Sequence, residues 1–399
     1  MKYKSIVALL SIAWLTASAF PAASNYHLLK TVNVGGTGAW DYLIYDTTGH
    51  RVFVSRGNHV MVLDGESGTT VGDILDTPGV HGIALAPEFG KGFTSNGQTN
   101  DVTIFDFNTL KPIRRVSTGR GPDAIVYDSS SKRVFTMNGQ DNTATAIDVE
   151  SGQPVGTIPL SGRPEFAAAD GRGTVFVNIE NKHTLTAIDS HNLTVRSNWD
   201  MPGCEGPTGL SMDLENRRLF SGCDNKVLAI MNADSGQLVA TVPIGAGVDA
   251  TAFDPKTALA FSSNGQDGTL TVVHEDSPEK FEVVENVPTE VGARTMALDP
   301  DMGTVYLVTA TVGPKLILSF ILGIFRPVIR PVVGWLGGIC LLISLVLLMR
   351  ARSQGWPKKL RWYFGIFVVV SLVLAVWCWN YDMFLMGLSP NDFHLSMWR

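Results

Sequence analysis

Arg51-Val-Phe-Val54 is a short apolar tetrapeptide with an aromatic residue in third place, and the chain returns to this pattern six more times. It reappears as Lys91-Gly-Phe-Thr94, Arg133-Val-Phe-Thr136, Thr174-Val-Phe-Val177, Arg218-Leu-Phe-Ser221, Leu259-Ala-Phe-Ser262 and Thr304-Val-Tyr-Leu307. The aromatic positions 53, 93, 135, 176, 220, 261 and 306 are separated by 40, 42, 41, 44, 41 and 45 residues. A fixed period in this range marks a repeat architecture in which each unit buries its apolar face against its neighbours.

Working outward from the tetrapeptide, every unit has the same order. An apolar run ending in Asp precedes it, as in Ala124-Ile-Val-Tyr-Asp128, Ala250-Thr-Ala-Phe-Asp254 and Met296-Ala-Leu-Asp299. A polar turn follows (Asn96-Gly97-Gln98, Asn138-Gly139-Gln140, Asn264-Gly265-Gln266), then a strand ending in Asp, a Ser-Gly type turn and a closing strand such as Pro154-Val-Gly-Thr-Ile-Pro-Leu160. Gly, Asn and Ser at the turns accept the positive φ that tight hairpins require. Asn96, Asn138 and Asn264 read as turn formers at these hairpins. Four short strands per unit and seven units predict an all-β, seven-bladed β-propeller of four-stranded blades over residues 24–311. The first full unit starts at Tyr42-Leu-Ile-Tyr-Asp46, which leaves Leu28–Val34 as an orphan strand. The seventh unit lacks its own fourth strand, so the N-terminal strand is expected to complete it and hide an open edge.

The two ends of the chain have other chemistry. Lys2 and Lys4, the apolar run Ile6 to Leu15 and Ala17-Ser18-Ala19 compose an export signal, set at residues 1–23. From Val312 the chain turns into membrane-type sequence. Residues 312–331 read as a junction or interfacial segment and 381–399 as a short tail. Between them, Val332 to Met349 and Trp362 to Asn380 carry no charge and predict a two-helix α-helical transmembrane tail over 332–380. The basic loop Arg350, Arg352, Lys358, Lys359, Arg361 would stay cytoplasmic by the positive-inside rule, agreeing with an exported propeller anchored in the inner membrane. Blade seven is then missing its third strand, unless Leu316-Ile-Leu-Ser-Phe320 takes that place. The net charge of −6 conceals nine Lys/Arg against two Asp/Glu from residue 312 onward; the central body has 20 basic and 35 acidic residues. A body at −15 repels phosphate backbones and disfavours nucleic acid as a partner.

The repeats resemble the YVTN-repeat β-propeller family, and within it the YncE-like exported proteins. The resemblance rests on Pro78-Gly-Val-His-Gly-Ile-Ala-Leu-Ala-Pro87, Gly92-Phe-Thr-Ser-Asn-Gly97, Gly121-Pro-Asp-Ala-Ile-Val-Tyr-Asp128, Gly162-Arg-Pro-Glu-Phe166, Cys204-Glu-Gly-Pro-Thr-Gly-Leu210, Pro243-Ile-Gly-Ala-Gly-Val-Asp249 and Gly292-Ala-Arg-Thr-Met-Ala-Leu298, and spans about residues 26–310. It implies an exported binding module with no shared catalytic residue set; the propeller itself is expected to be monomeric. The chain departs from that pattern at Val312, where the family continues into a last inner-blade strand.

Candidate site residues come one per blade from the segments leading into the innermost strands, which converge on one mouth of a propeller's channel: Asp41, His81, Asp123, Glu165, Thr208, Asp249 and Arg294, with Glu205 beside Thr208. The carboxylates among them offer oxygen ligands to a divalent metal, and Asp123, Glu165, Asp249 and His81 form the set for that reading. The competing reading is that these acids cap tight turns and face solvent. Cys204 and Cys223 flank one strand pair of blade five and read as a structural disulfide in preference to a metal pair or free thiols. No Gly-x-Ser-x-Gly elbow, Cys-x-x-Cys-His haem site, phosphate loop or dinucleotide fingerprint occurs, so no catalytic residue and no cofactor beyond a divalent metal is assigned. The expected function is an envelope binding or scaffold module, tethered through its tail, that holds a cell-envelope ligand at the channel mouth. A metal-dependent hydrolase or lactonase using the mouth carboxylates is the alternative.

Overall fold

The computed structural model describes residues 26–35, 39–311 and 392–399. These build seven antiparallel four-stranded sheets, each numbered here as a blade from the channel outward. In blades one to six the four strands follow one another in sequence. Blade two, for example, runs Val80–Ala86, Lys91–Asn96, Asp101–Asp106 and Pro112–Ser117. The innermost strand of blade one, Leu43–Asp46, packs against the inner strands of both blade two and blade seven, so the ring is closed.

The aromatic of each repeated tetrapeptide explains why the period is stable. Phe53, Phe93, Phe135, Phe176, Phe220 and Phe261 are all at most 1% exposed, and Tyr306 is nearly as deep. Each sits on the second strand of its blade, and together they belong to the apolar clusters that continue around the ring. Burying one such ring contributes about 1.5–3 kcal/mol, so a single unit could not hold its shape without its neighbours. The Ser-Gly turns behave as expected: Gly68, Gly152 and Gly236 have φ of 72°, 65° and 69°. The three repeated asparagines do not. Asn96, Asn138 and Asn264 end the second strand fully buried, and each side-chain amide donates to hydroxyl or carboxylate groups of the third strand, as Asn96 Nδ2 does to Asp101 Oδ1 (2.7 Å) and Thr103 Oγ1 (2.8 Å). They clasp two strands together and leave the turn to the residues after them.

Blade seven corrects the expectation at the C-terminus. Its sheet order from the channel outward is Met296–Asp299, Thr304–Thr311, Asp392–Trp398 and Leu28–Asn33. The N-terminal strand takes the outermost place, as predicted. The third strand is supplied by the last residues of the chain, with Thr311 in register opposite Asp392 and Leu28 opposite Trp398. Among the described residues, the two-helix transmembrane tail is therefore not part of the architecture. Among the described residues there is no α-helix, only the single 3-10 turns Pro87–Phe89 and Glu180–Lys182, and no helix is long and apolar enough to cross a membrane. Residues 312–391, which hold the stretch 332–380 and the substitute strand at 316–320, lie outside the described residues, as does the signal segment 1–23. What had read as a tail is an insertion in one hairpin, because the chain returns to the sheet where it left it. The reason is packing: Phe393 and Leu395 are fully buried and Met397 and Trp398 nearly so.

Candidate functional site at the channel mouth

The start of each inner strand pairs with the end of the second strand, so the hairpins after the second strands share a face of the disc with the predicted site residues. Five inner strands carry a register shift at this point, between Val80 and Ile83, Pro122 and Ile125, Pro164 and Ala167, Pro207 and Leu210, and Val248 and Ala250. A β-bulge re-aims the side chain that it carries, and these bulges hold His81, Asp123, Glu165, Thr208 and Asp249. Space at the mouth is made by glycine. A Cβ on Gly97 would come within 2.9 Å of His81 Nε2, and one on Gly265 within 2.7 Å of Arg294 Cβ. The glycine after the second strand thus admits His81 of the same blade in blade two, and Arg294 of the next blade in blade six.

Six of the eight predicted residues meet. Asp41 Oδ2 is 2.6 Å from His81 Nδ1, and Asp123 Oδ1 lies 3.8 Å from the same nitrogen. Arg294 donates its Nε to Asp249 Oδ2 at 2.7 Å and its Nη2 to Asp41 Oδ1 at 3.2 Å and to the Trp40 carbonyl at 3.3 Å. Glu165 belongs to the same field through Asp123 and Asp249. Thr208 and Glu205 have other tasks. The Thr208 hydroxyl donates to the carbonyls of Gly222 (3.3 Å) and Val248 (3.1 Å), tying blade five to blade six. Glu205 is exposed, and its backbone N–H is held by Asn225. The disulfide is formed: Cys204 and Cys223 are bonded, with Cα atoms 5.4 Å apart, and both are buried.

Three residues outside the predicted site set complete the site. Tyr42, one position beyond Asp41, reaches from blade one to Phe166 of blade four with ring centroids 4.9 Å apart, so aromatic rings from non-adjacent blades touch on the channel axis. Glu180 and Asp224 come from the hairpins after the second strands of blades four and five. In blades two, three and six the corresponding residue is Gly97, Gly139 or Gly265. The replacement of glycine by an acid at the same step of the repeat was the available signal.

The electrostatics are one-sided. Six carboxyls (Asp41, Asp123, Glu165, Glu180, Asp224, Asp249) share the mouth with His81, Arg163 and Arg294. Both guanidiniums are committed, Arg294 to Asp249 and Asp41, and Arg163 to Glu180. Burial, and then the neighbouring acids, hold Glu165 well above the usual carboxylate range, with a hydrogen bond to Glu180 adding to the shift. Asp123 is raised by burial and by Asp41 and Asp249, against the pull of His81. Burial opposes charge on His81, but its hydrogen bond to Asp41 and the Asp123 charge outweigh it, and its pKa lies above the ordinary value. The Tyr42 phenol is pushed up by burial and by Asp123, Asp41, Glu165 and Asp249. Like charges that cannot all be neutralised by their partners raise each other's pKa, and perturbed groups gathered in a cleft mark a candidate site. One ligand atom each from Asp41, His81 and Asp123 lies within 4.8 Å of the others, a spacing that suits a single metal ion. Of the metal set expected from sequence, His81 and Asp123 are in this group, Asp41 joins it, Asp249 is engaged by Arg294, and Glu165 faces Glu180 instead.

No family model and no curated protein sequence matches the chain. Solved structures do. A chain titled Kuenenia stuttgartiensis hydrazine synthase superposes with a TM-score of 0.62 at 14% identity, covering 70% of this chain and 95% of that one. The RRP9 WD40 repeats and U3-55K each give 0.62 at 10% identity, covering 72% of this chain and 91% and 92% of theirs. The chain is a seven-bladed β-propeller. Identities this low carry the fold and nothing about ligands.

Proposed function

We propose that this propeller is an exported binding module, of the YVTN type, that takes a cationic ligand at the acidic mouth of its channel. Propellers in general serve as binding or scaffold modules, and the site has the features of a receptor. The observation that carries the reading is the surplus of carboxyls around Tyr42 once both arginines have been matched to acids. A bound cation relieves that repulsion, and the Tyr42–Phe166 pair offers it an aromatic surface. Among the described residues of the mouth, an anionic ligand meets no uncommitted guanidinium. Export is supported by the Lys2 to Ala19 pattern and by the Cys204–Cys223 disulfide, a bond that persists in oxidising compartments. The seven quoted repeats support the YVTN assignment.

A second reading, metal-dependent hydrolysis, is favoured by one specific feature, the Asp41, His81, Asp123 donor group. A divalent metal held there would act as a Lewis acid toward a carbonyl or phosphoryl oxygen. His81 would have to exchange its Asp41 hydrogen bond for the metal through the same Nδ1. Calorimetric titration of the full chain with calcium, magnesium, manganese, zinc and a series of organic ammonium ions tests both. Binding that Asp123→Asn abolishes supports the mouth as the site. No cation bound by the native chain refutes the proposal.

A further inference from the structure

Away from the channel, one buried carboxyl is incompletely partnered. Glu275 lies near the end of blade six's third strand, Thr269–Ser277, and is 5% exposed. It meets the turn after blade five's inner strand. Its Oε1 accepts a hydrogen bond from Asn216 Nδ2 at 3.1 Å, whereas Oε2 has no hydrogen-bond partner among the described residues. The Asp213 carboxyl beside it is equally buried and is fixed as an acceptor by the backbone N–H groups of Glu215 (2.9 Å) and Asn216 (3.2 Å). Two acceptors can join only if one carries a proton.

The other charged groups at this seam make their direct contacts elsewhere. From blade five, Arg218 donates its Nε to the Pro278 carbonyl at 2.7 Å and faces Glu279 at 3.5 Å, while Arg217 turns away to Asp170 and Asp234. On blade six's own hairpin, His274 and Lys280 both bind Asp276 at 2.6 Å on the exposed side, and Glu282 of the fourth strand stands opposite His274. The turn before strand two contributes the Ala258 carbonyl, which accepts the Glu275 N–H.

We infer that Glu275 is a pH-sensitive latch across the seam of blades five and six: protonated, it hydrogen-bonds Asp213 and holds the two blades together; ionised, it repels Asp213 and loosens them. The far end of the same seam is the Thr208 hydroxyl bond to Val248, next to Asp249 of the channel mouth. Burial, then the Asp213 charge, push Glu275 up to about 7, with Asn216 and Arg218 opposing. A raised folded pKa means that the contribution is complete below the unfolded value of about 4.3, falls as pH rises, and is lost above the folded value.

The test is unfolding of the full chain and of Glu275→Gln in urea at pH 4.5, 6 and 8. One proton shifts the unfolding constant by roughly tenfold per pH unit within the window. The ratio of the two constants should therefore move tenfold or more in favour of the variant between pH 4.5 and 8, most of it below 7. Asp213→Asn, which keeps one of the turn's two acceptor oxygens, should flatten the profile in the same way and serves if the first variant does not fold. Profiles parallel to the native one in the variants that fold would overturn the latch.

Discussion

Deleting residues 392–399 should unfold the propeller or bring it close to unfolding, although a sequence reading places these residues in a tail. The strand Asp392–Trp398 buries Phe393, Leu395, Met397 and Trp398, all at most 8% exposed. At about 1.5–3 kcal/mol for each large apolar side chain, these four contribute roughly 6–12 kcal/mol, comparable with the whole stability of an ordinary domain at about 5–15 kcal/mol. The deletion also removes the strand that, among the described residues, alone pairs with Leu28–Asn33, and exposes the edge of Thr304–Thr311. A milder version is Phe393→Ala. It opens a cavity at a fully buried site, strips the Arg56 guanidinium of a ring only 3.5 Å away, and should cost about 3–5 kcal/mol. Thermal melting followed by circular dichroism should then show a midpoint lower by roughly 10 °C. A truncated chain that melts cooperatively at the native midpoint would refute the assignment of the third strand.

Other expectations follow from the site and its supports. Replacing Cys204 and Cys223 by Ala removes a cross-link between residues 19 apart and should lower stability by about 3 kcal/mol in urea unfolding; an unchanged midpoint would mean the bond constrains nothing. Cation affinity should rise with pH, because protons held on Glu165 and Asp123 must leave before a cation enters, and titrations at pH 5 and pH 8 would show it as a weaker and a tighter constant. Gly97→Ala places a methyl 2.9 Å from His81 Nε2 and should weaken binding while leaving the melting midpoint within a few degrees; binding at native strength would show that His81 takes no part.

The fold was legible because a forty-residue period imposes the same buried aromatic seven times, and no single repeat had to be read correctly. Blade seven was not, for a physical reason. Its third strand is separated from the second by residues 312–391, and a period read along the chain cannot see a partner that returns from so far away. The signal was nevertheless present. Phe393, Leu395 and Met397 alternate with His394 and Ser396, the two-residue period of a strand buried on one face. Position in the repeat located the site residues and left their roles open. Thr208 occupies the same step as Asp123 and Asp249, yet its hydroxyl is used between blades. Glu180 and Asp224 went unseen because turn positions were read as turn chemistry, when the informative event was that two blades abandoned glycine there.

That asymmetry separates the two readings of the mouth. Arg294 serves blades six, seven and one, where it meets Asp249 and Asp41, and His81 of blade two stands between Asp41 and Asp123. The arc of blades four and five has Glu165, Glu180 and Asp224 with Arg163 alone, and Arg163 is taken by Glu180. A cation that displaces the protons held by these crowded acids should therefore settle toward Glu165, whereas a coordinated metal should sit with Asp41, His81 and Asp123 on the other side. Glu165→Gln and Asp41→Asn remove one carboxylate each from opposite arcs. Loss of binding in the first, with the second near native, identifies a charge-selected ligand over the Tyr42–Phe166 surface. Loss in the second, with the first near native, identifies a metal centre. Equal, small losses in both would mean that the surplus acids act only as a diffuse field and that neither arc is a site.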